Sequence, residues 1–410
     1  MKRRSMRWIG GLLALAMCLS ACEKEEKGKE PGQEAVSPGE ETQVVETGPA
    51  AELLLELSPL QKAAIEGTEA DLETAVTLSG LFLDLLVDEN NAEGGQQNIL
   101  ISPTALLAGA CSLKEAASGE AAEQIGSAVL RGADPERVKS LLERLEAYND
   151  EASGNSWKMS SGVWKREGNG LDEINSWVAE STGGSVTAFE PSEAAGTELL
   201  QAVALSMRWE KPYEDKDILE SRHFMNADWV GSTVDMLYSE ENWYFRLSYG
   251  TGFLKNLEGG KLAFFAVMPD KDVSMDDYLV LMQVEQTDLV KALLSPSYGD
   301  VRVQLPEFSV SAERDLGDSL QTMGLTAAFD ASQGAFDFGN GSPQSLGAFR
   351  QQVRFSVSRG QCAPNSDKVL KKPDAELGFP IYLNFDRPFI YGVVERESGV
   401  PILLGLVSSF

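Results

Sequence analysis

Histidine is almost absent from this chain: its 410 residues include one, His223. That excludes a multi-histidine metal centre and makes any Ser-His-Asp hydrolase depend on that single side chain. Basic residues are also few. Lys and Arg number 35 against 63 Asp and Glu, for a formal charge of -28. So acidic a surface repels phosphate backbones and excludes nucleic acid as a natural partner. Of four cysteines, two (Cys18 and Cys22) fall within the first 22 residues, which leaves too few for a disulfide framework. No apolar run of membrane-spanning length follows them. What is present is a hydrophobic content of 43%, enough for most of the chain to fold around a core.

Residues 1–21 read as a signal peptide, with Lys2, Arg3, Arg4 and Arg7 ahead of the apolar stretch Ile9 to Met17. Leu19-Ser20-Ala21-Cys22 resembles a bacterial lipobox, in which Cys22 is lipidated and becomes the mature N-terminus. The apolar stretch is too short for a transmembrane anchor. This predicts a lipoprotein on the extracellular face of the cell membrane, attached through its lipid alone, with a released, secreted form as the variant. Residues 22–57 are charged and contain Gly and Pro, and read as a disordered acidic tether. Residues 58–410 carry no internal repeat and no convincing linker, and read as one domain.

Helical spacing runs through Thr68 to Val87, with Leu72, Ala75, Val76, Ser79, Phe82, Leu83 and Leu86 three and four apart. Further helices are expected at Thr104 to Leu113, Glu120 to Leu130, Leu171 to Glu180, Met275 to Met282 and Asp315 to Met323. Strands are expected at Leu200 to Met207, Trp243 to Tyr249, Lys261 to Met268, Val301 to Leu305, Arg354 to Val357, Phe389 to Val394 and Pro401 to Val407. Helices gather early and strands late, which predicts an α+β fold. His223, beside Phe224 and Met225, reads as a structural or surface residue; a hydrolase built on it is the remote alternative.

Several blocks in register carry a resemblance. They are Asn98 to Pro103, Gly119 to Ile125, Ile174 to Gly184, Trp209-Glu210-Lys211-Pro212-Tyr213, Leu305 to Phe329, and Phe385-Asp386-Arg387-Pro388-Phe389 through Glu397 to Val407. In that order they resemble the serpin family. The resemblance implies helices packed on a large mixed or antiparallel sheet, smaller sheets, and an exposed reactive loop. It implies a monomeric inhibitor of extracellular serine proteases, without a cofactor or metal and without enzymatic activity. A protease cleaves the loop, and the loop then enters the large sheet as a new strand.

By the same resemblance the loop lies between Gly360 and Pro380, with a hinge of Gly360, Gln361, Cys362, Ala363 and Pro364. The scissile region falls within Lys371, Lys372, Asp374, Ala375, Glu376, Leu377 and Gly378. Trp209, Ser102, Pro103 and Gln201 mark where the sheet opens. Four departures from the family pattern bear on this. Pro364 has no N–H for a central strand. Ser358-Arg359 replaces an acidic pair before Gly360. Lys165 to Glu173 is too short for the usual helix and edge strand, so both are expected to be missing. Ala105, Gln201 and the Gln351-Gln352 stretch replace the usual buried polar groups at the opening point, which predicts altered gating. The alternative is therefore a non-inhibitory serpin-fold binding protein or protease substrate. Cys111 reads as a buried thiol and Cys362 as exposed, with a disulfide between them as the minor alternative.

Overall fold

A computed structural model describes residues 51–56, 69–146, 156–166, 170–191, 196–284, 289–339, 341–360 and 379–410. The leader with Cys22, the hinge residues Gln361, Cys362, Ala363 and Pro364, and the scissile stretch Lys371 to Gly378 lie outside the described residues.

Helix α1 (Glu69–Ala92) buries Ala75, Leu78, Leu81, Phe82, Leu85 and Leu86 along one stripe. It continues past the expected end at Val87. Glu89 and Asn90 are buried there with partners: Ser319 Oγ donates to Glu89 (2.7 Å), and Asn90 Nδ2 donates to Asp276 (2.8 Å). Polar residues satisfied by distant side chains read as a helix end in the sequence but not in the fold. Helix α2 (Pro103–Ala116) starts where Ser102 caps it, accepting from the Ala105 N–H, with Pro103 in the first turn. Helix α3 (Gly119–Gln124) runs into a π-helical turn at Ile125–Val129. Helix α4 (Pro135–Glu146), for which no sequence expectation stands above, buries Val138, Leu141, Leu142 and Leu145.

The main sheet has five strands in the order β1 (Ala51–Glu56), β3 (Ser156–Arg166), β4 (Gly196–Ser206), β11 (Leu346–Val357) and β10 (Phe308–Asp315). Its joins β1–β3, β3–β4 and β10–β11 are antiparallel, whereas β4–β11 is parallel. Helix α5 (Asp172–Ser181) covers one face through Ile174 and Val178, which join Trp164, Leu200 and Ala202 in a core of their own. Leu199, Val203, Phe349, Val353 and Phe355 face the main core on the other side.

The second sheet runs β12 (Ile381–Asn384), β9 (Ser297–Pro306), β6 (Gly231–Leu247), β7 (Gly250–Asn256), β8 (Leu262–Pro269), β13 (Phe389–Glu395), β14 (Pro401–Val407) and β2 (Ile99–Ile101), with β5 (Ile218–Met225) on β6. Strands β8, β13 and β14 are buried at every position, which explains their unbroken apolar sequences. Helices α6 (Met275–Val284), α7 (Leu289–Leu294) and α8 (Gly317–Thr322) complete the described α-helices, and a 3-10 turn lies at Asp215–Asp217. The start of α8 is one to two residues later than expected. The Asp315 carboxylate still serves the turn, accepting from the Gly317 N–H at 2.9 Å.

Two expectations change at the edge of the main sheet. Five residues, 167–171, join β3 to α5, so neither a helix nor a strand fits between them. The edge is nevertheless filled, by β1, from a stretch read above as tether. Ala51 pairs with Arg166, Leu53 with Trp164 and Glu56 with Gly162, across a bulge at Leu54. Gly162 lets Leu53 and the Trp164 and Trp177 rings close in: a Cβ there would stand 3.0 Å from Leu53 Cδ1 and 3.3 Å from Trp177 Cζ2. The Trp177 indole N–H donates to Glu56 at 3.3 Å. The tether reading failed here because Ala51-Glu-Leu-Leu-Leu-Glu56 is too short to declare a period and sits behind charged, turn-rich sequence.

Burying Leu53, Leu54 and Leu55 even in part contributes about 2–4 kcal/mol. A chain beginning at Leu57 is therefore expected to melt at least ~3 °C below one beginning at Thr47. Equal midpoints in a thermal scan would mean that β1 does not hold this edge.

Candidate functional site

The parallel join between β4 and β11 is paired from Leu346↔Thr197 up to Arg354↔Ala204 and no further. Above that point Leu205 pairs with Trp157 and Ser206 with Ser156 on one side, while Phe355, Ser356 and Val357 pair with β10 on the other. The two strands thus part at their upper ends. A cleft of ≈ 320 Å³ occupies the fork, lined by Ser206, Met207, Trp209, Arg354, Ser356 and Ser358 among others. Its walls end in backbone groups that have a neighbour on one side only, which is what an incoming strand needs.

Trp209 forms the head of the fork. Its indole N–H donates to the Ser358 carbonyl at 2.8 Å, and its ring stands edge-on to Tyr213 and Phe264. The Lys255 ammonium lies over both Trp209 and Tyr213 (5.5 and 4.6 Å) and is held by Glu241 at 2.6 Å. This is a cation–π arrangement in a buried setting, where it is strongest. The chain leaving β11 is tied to the same feature. The Tyr213 N–H donates to the Arg359 carbonyl (3.2 Å), and the exposed Arg359 side chain reaches Asp215 (3.0 Å). Gly360 has φ +78°, and a Cβ there would sit 2.7 Å from Trp209 Cδ1. Only glycine lets the chain turn against the indole.

Below the fork a second feature crosses the join. Gln201 and Gln351 are direct register partners, both fully buried on the main-core face. Gln351 Nε2 donates to Gln201 Oε1 (3.1 Å) and to the Ser102 carbonyl (3.1 Å), and Gln351 Oε1 accepts from the Ser102 N–H (2.6 Å). Gln201 Nε2 donates to the Ala105 carbonyl (2.6 Å) and to Ser161 Oγ (3.0 Å). All four amide hydrogens are used, so the pair is a fully satisfied stitch between β4, β11, β3 and the start of α2. Ser102 Oγ extends it to the Ile402 carbonyl of β14 (2.9 Å).

Ser102, Gln201, Trp209 and Gly360, singled out from sequence, thus border this one join, and Pro103 is the first residue of α2 after Ser102. Ser161, Tyr213 and Lys255 complete it and were missed. Gln351, expected at the opening point, was not read as a partner of Gln201. Its signal was alternation: it shares its face with Phe349 and Val353, so a polar residue there had to be buried and paired. Two long amides thus span the join on its core face. His223 is exposed on β5, in the other sheet. Cys111 is a buried free thiol whose pKa burial pushes up to about 12, so it remains an inert thiol at neutral pH.

The family model for serpin (serine protease inhibitor) matches residues 166–410. Among curated relatives, an uncharacterized serpin-like protein of Methanosarcina mazei is 21% identical over 365 residues, covering 77% of this chain and 82% of its own. Thyroxine-binding globulin of Bos taurus is 24% identical over 294 residues, covering 69% and 68%. Among solved structures, the native state of the thermophilic serpin tengpin superposes with a TM-score of 0.70 at 20% identity, over 88% of this chain and 100% of that one.

Replacing Gln351 by Leu strands the Ser102 N–H and Gln201 Oε1 in the core. We expect a loss of about 2–3 kcal/mol in urea unfolding, and a Gln201→Leu/Gln351→Leu double variant that costs less than the sum of its singles. A single-variant cost under about 0.5 kcal/mol would remove the stitch from the account.

Proposed function

This chain belongs to the serpin family, and from that premise we propose that it inhibits serine proteases by loop cleavage and strand entry. The observation that carries the reading is the β4–β11 join. It is the one parallel contact in a sheet whose other neighbours are antiparallel. A strand that leaves the top of β11, turns back and descends runs antiparallel to both β11 and β4. Its entry replaces one parallel ladder by two antiparallel ones, the slightly more stable kind, and adds a full strand of backbone hydrogen bonds. The chain leaves β11 at the fork, where Gly360 stands, so the connection required is present. The catalytic chemistry belongs to the protease; this chain supplies the bait and the place where the cut strand goes.

Lys371 and Lys372 fit a trypsin-like target. Attachment through a lipidated Cys22 would hold the inhibitor at the outer face of the membrane, with the acidic stretch before Ala51 as a spacer. A second reading is favoured by Pro364: four residues beyond Gly360, it would sit in the entering strand without an N–H to give. On that reading the chain is cut as a substrate, or binds a ligand, as the thyroxine-binding globulin among its relatives does by name.

The test is incubation with trypsin-, chymotrypsin-, elastase- and subtilisin-like proteases, followed by a denaturing gel. A band at the summed mass that survives denaturant, with the protease silenced, is the expected result. Clean loop cleavage with fully active protease would favour the substrate reading and overturn inhibition.

A further inference from the structure

A second set of side chains crosses the same join on its other face. Leu200, Ala202 and Ala204 of β4 point toward α5, away from Gln201 and Gln351. On that side four buried charges alternate in sign over four adjacent strands: Arg166 on β3, Glu198 on β4, Arg350 on β11 and Glu313 on β10. The side chains of Arg166 and Glu198 are each 1% exposed, Arg350 5% and Glu313 12%. Arg166 holds Glu198 Oε1 through Nη2 (2.6 Å) and Nε (3.1 Å). Arg350 Nη1 reaches Glu198 Oε2 at 3.3 Å, and its Nη2 donates to Glu313. The same Nη2 donates to the Glu190 carbonyl, the Glu190 N–H donates to Glu313 (2.7 Å), and the guanidinium lies 5.5 Å from the Phe189 ring. The ladder therefore also pins the stretch after α5 onto the sheet.

We propose that this ladder is a lower latch on the join, which stops an entering strand below the glutamine stitch until Glu198 and Arg350 part. The inference rests on the strand-entry reading above. Its sense comes from the alternation of charge. A strand placed between β4 and β11 moves them from one strand spacing apart to two, about 4.8 to 9.6 Å. Only the middle contact of the ladder, Arg350 to Glu198 at 3.3 Å, then breaks. Arg166–Glu198 stays whole on one side and Arg350–Glu313 on the other, so neither half keeps a lone buried charge, the state that costs most. The latch resists opening and yet divides into two halves, each of which keeps its opposite charges together, with Asp315 as the register partner of Arg350 on the β10 side.

This fixes the direction of two variants. Glu198→Gln removes the contact across the join and speeds entry. Glu313→Gln leaves that contact in place but removes the ion-pair partner that Arg350 keeps once the join opens, leaving it only Asp315 opposite on β10, and so slows entry. The test uses the full chain, cut in the loop by limiting trypsin and then quenched. The fraction that resists heating is followed with time. We expect the half-time of conversion to shorten at least about tenfold in Glu198→Gln, and to lengthen in Glu313→Gln by a similar factor. Should Glu198→Gln fail to fold, the slowing in Glu313→Gln decides alone. Equal half-times in wild type and variants overturn the latch while leaving strand entry intact. A cut wild type that never gains heat resistance overturns strand entry itself, and the latch with it.

Discussion

One parallel contact, between β4 and β11, sets the character of this molecule. Each strand has an antiparallel partner on its outer side, and each could have another on its inner side. The native sheet therefore stops short of its best hydrogen bonding at the position where the chain leaves β11 toward an eighteen-residue stretch, 361–378. Side-chain chemistry compensates along this join. Two buried glutamines stitch it on the core face, a charge ladder spans it on the face under α5, and Trp209 with Gly360 fixes the point where it forks.

The three features differ in how they yield. The fork is already open. The glutamine stitch exchanges hydrogen bonds that an entering backbone could partly replace, so its cost of opening is modest. The ion pair is in a dry setting, and its cost is set by what each charge keeps afterward. This order suits a sheet that must be easy to enter and harder to fill. On the strand-entry proposal, Pro364 would work against fast entry, because a central strand has to forgo one ladder bond at a proline. The proposed balance between trapping a protease and being cut by it then turns on these opposing terms.

Much of this was legible in the sequence. The α+β class followed from helical periods early and apolar strands late, and Pro401–Val407 was placed to the residue. Ser102, Gln201, Trp209 and Gly360, picked out in the sequence, stand along one join. What was not legible depended on partners far along the chain. Glu89 and Asn90 look like a helix end until Ser319 and Asp276 meet them. Ala51–Glu56 looks like tether until β3 offers an open edge. Gln351 looks like the loss of a polar group until Gln201 stands opposite. The charge ladder draws one residue from each of four strands that are distant in sequence, so no local pattern announces it.

The N-terminal strand adds a constraint of its own. With only five residues between β3 and α5, β3 would be left as the edge; β1 covers it in cis and becomes the short outer strand itself, and short edge strands limit pairing between chains. The most direct test of the central claim is a crystal structure of the loop-cleaved chain, read at the Gln201–Gln351 pair. Strand entry requires a new strand between β4 and β11 and a Cα separation there of two strand spacings, about 9.6 Å. A cleaved chain in which Gln201 and Gln351 remain register partners at a single strand spacing would contradict it.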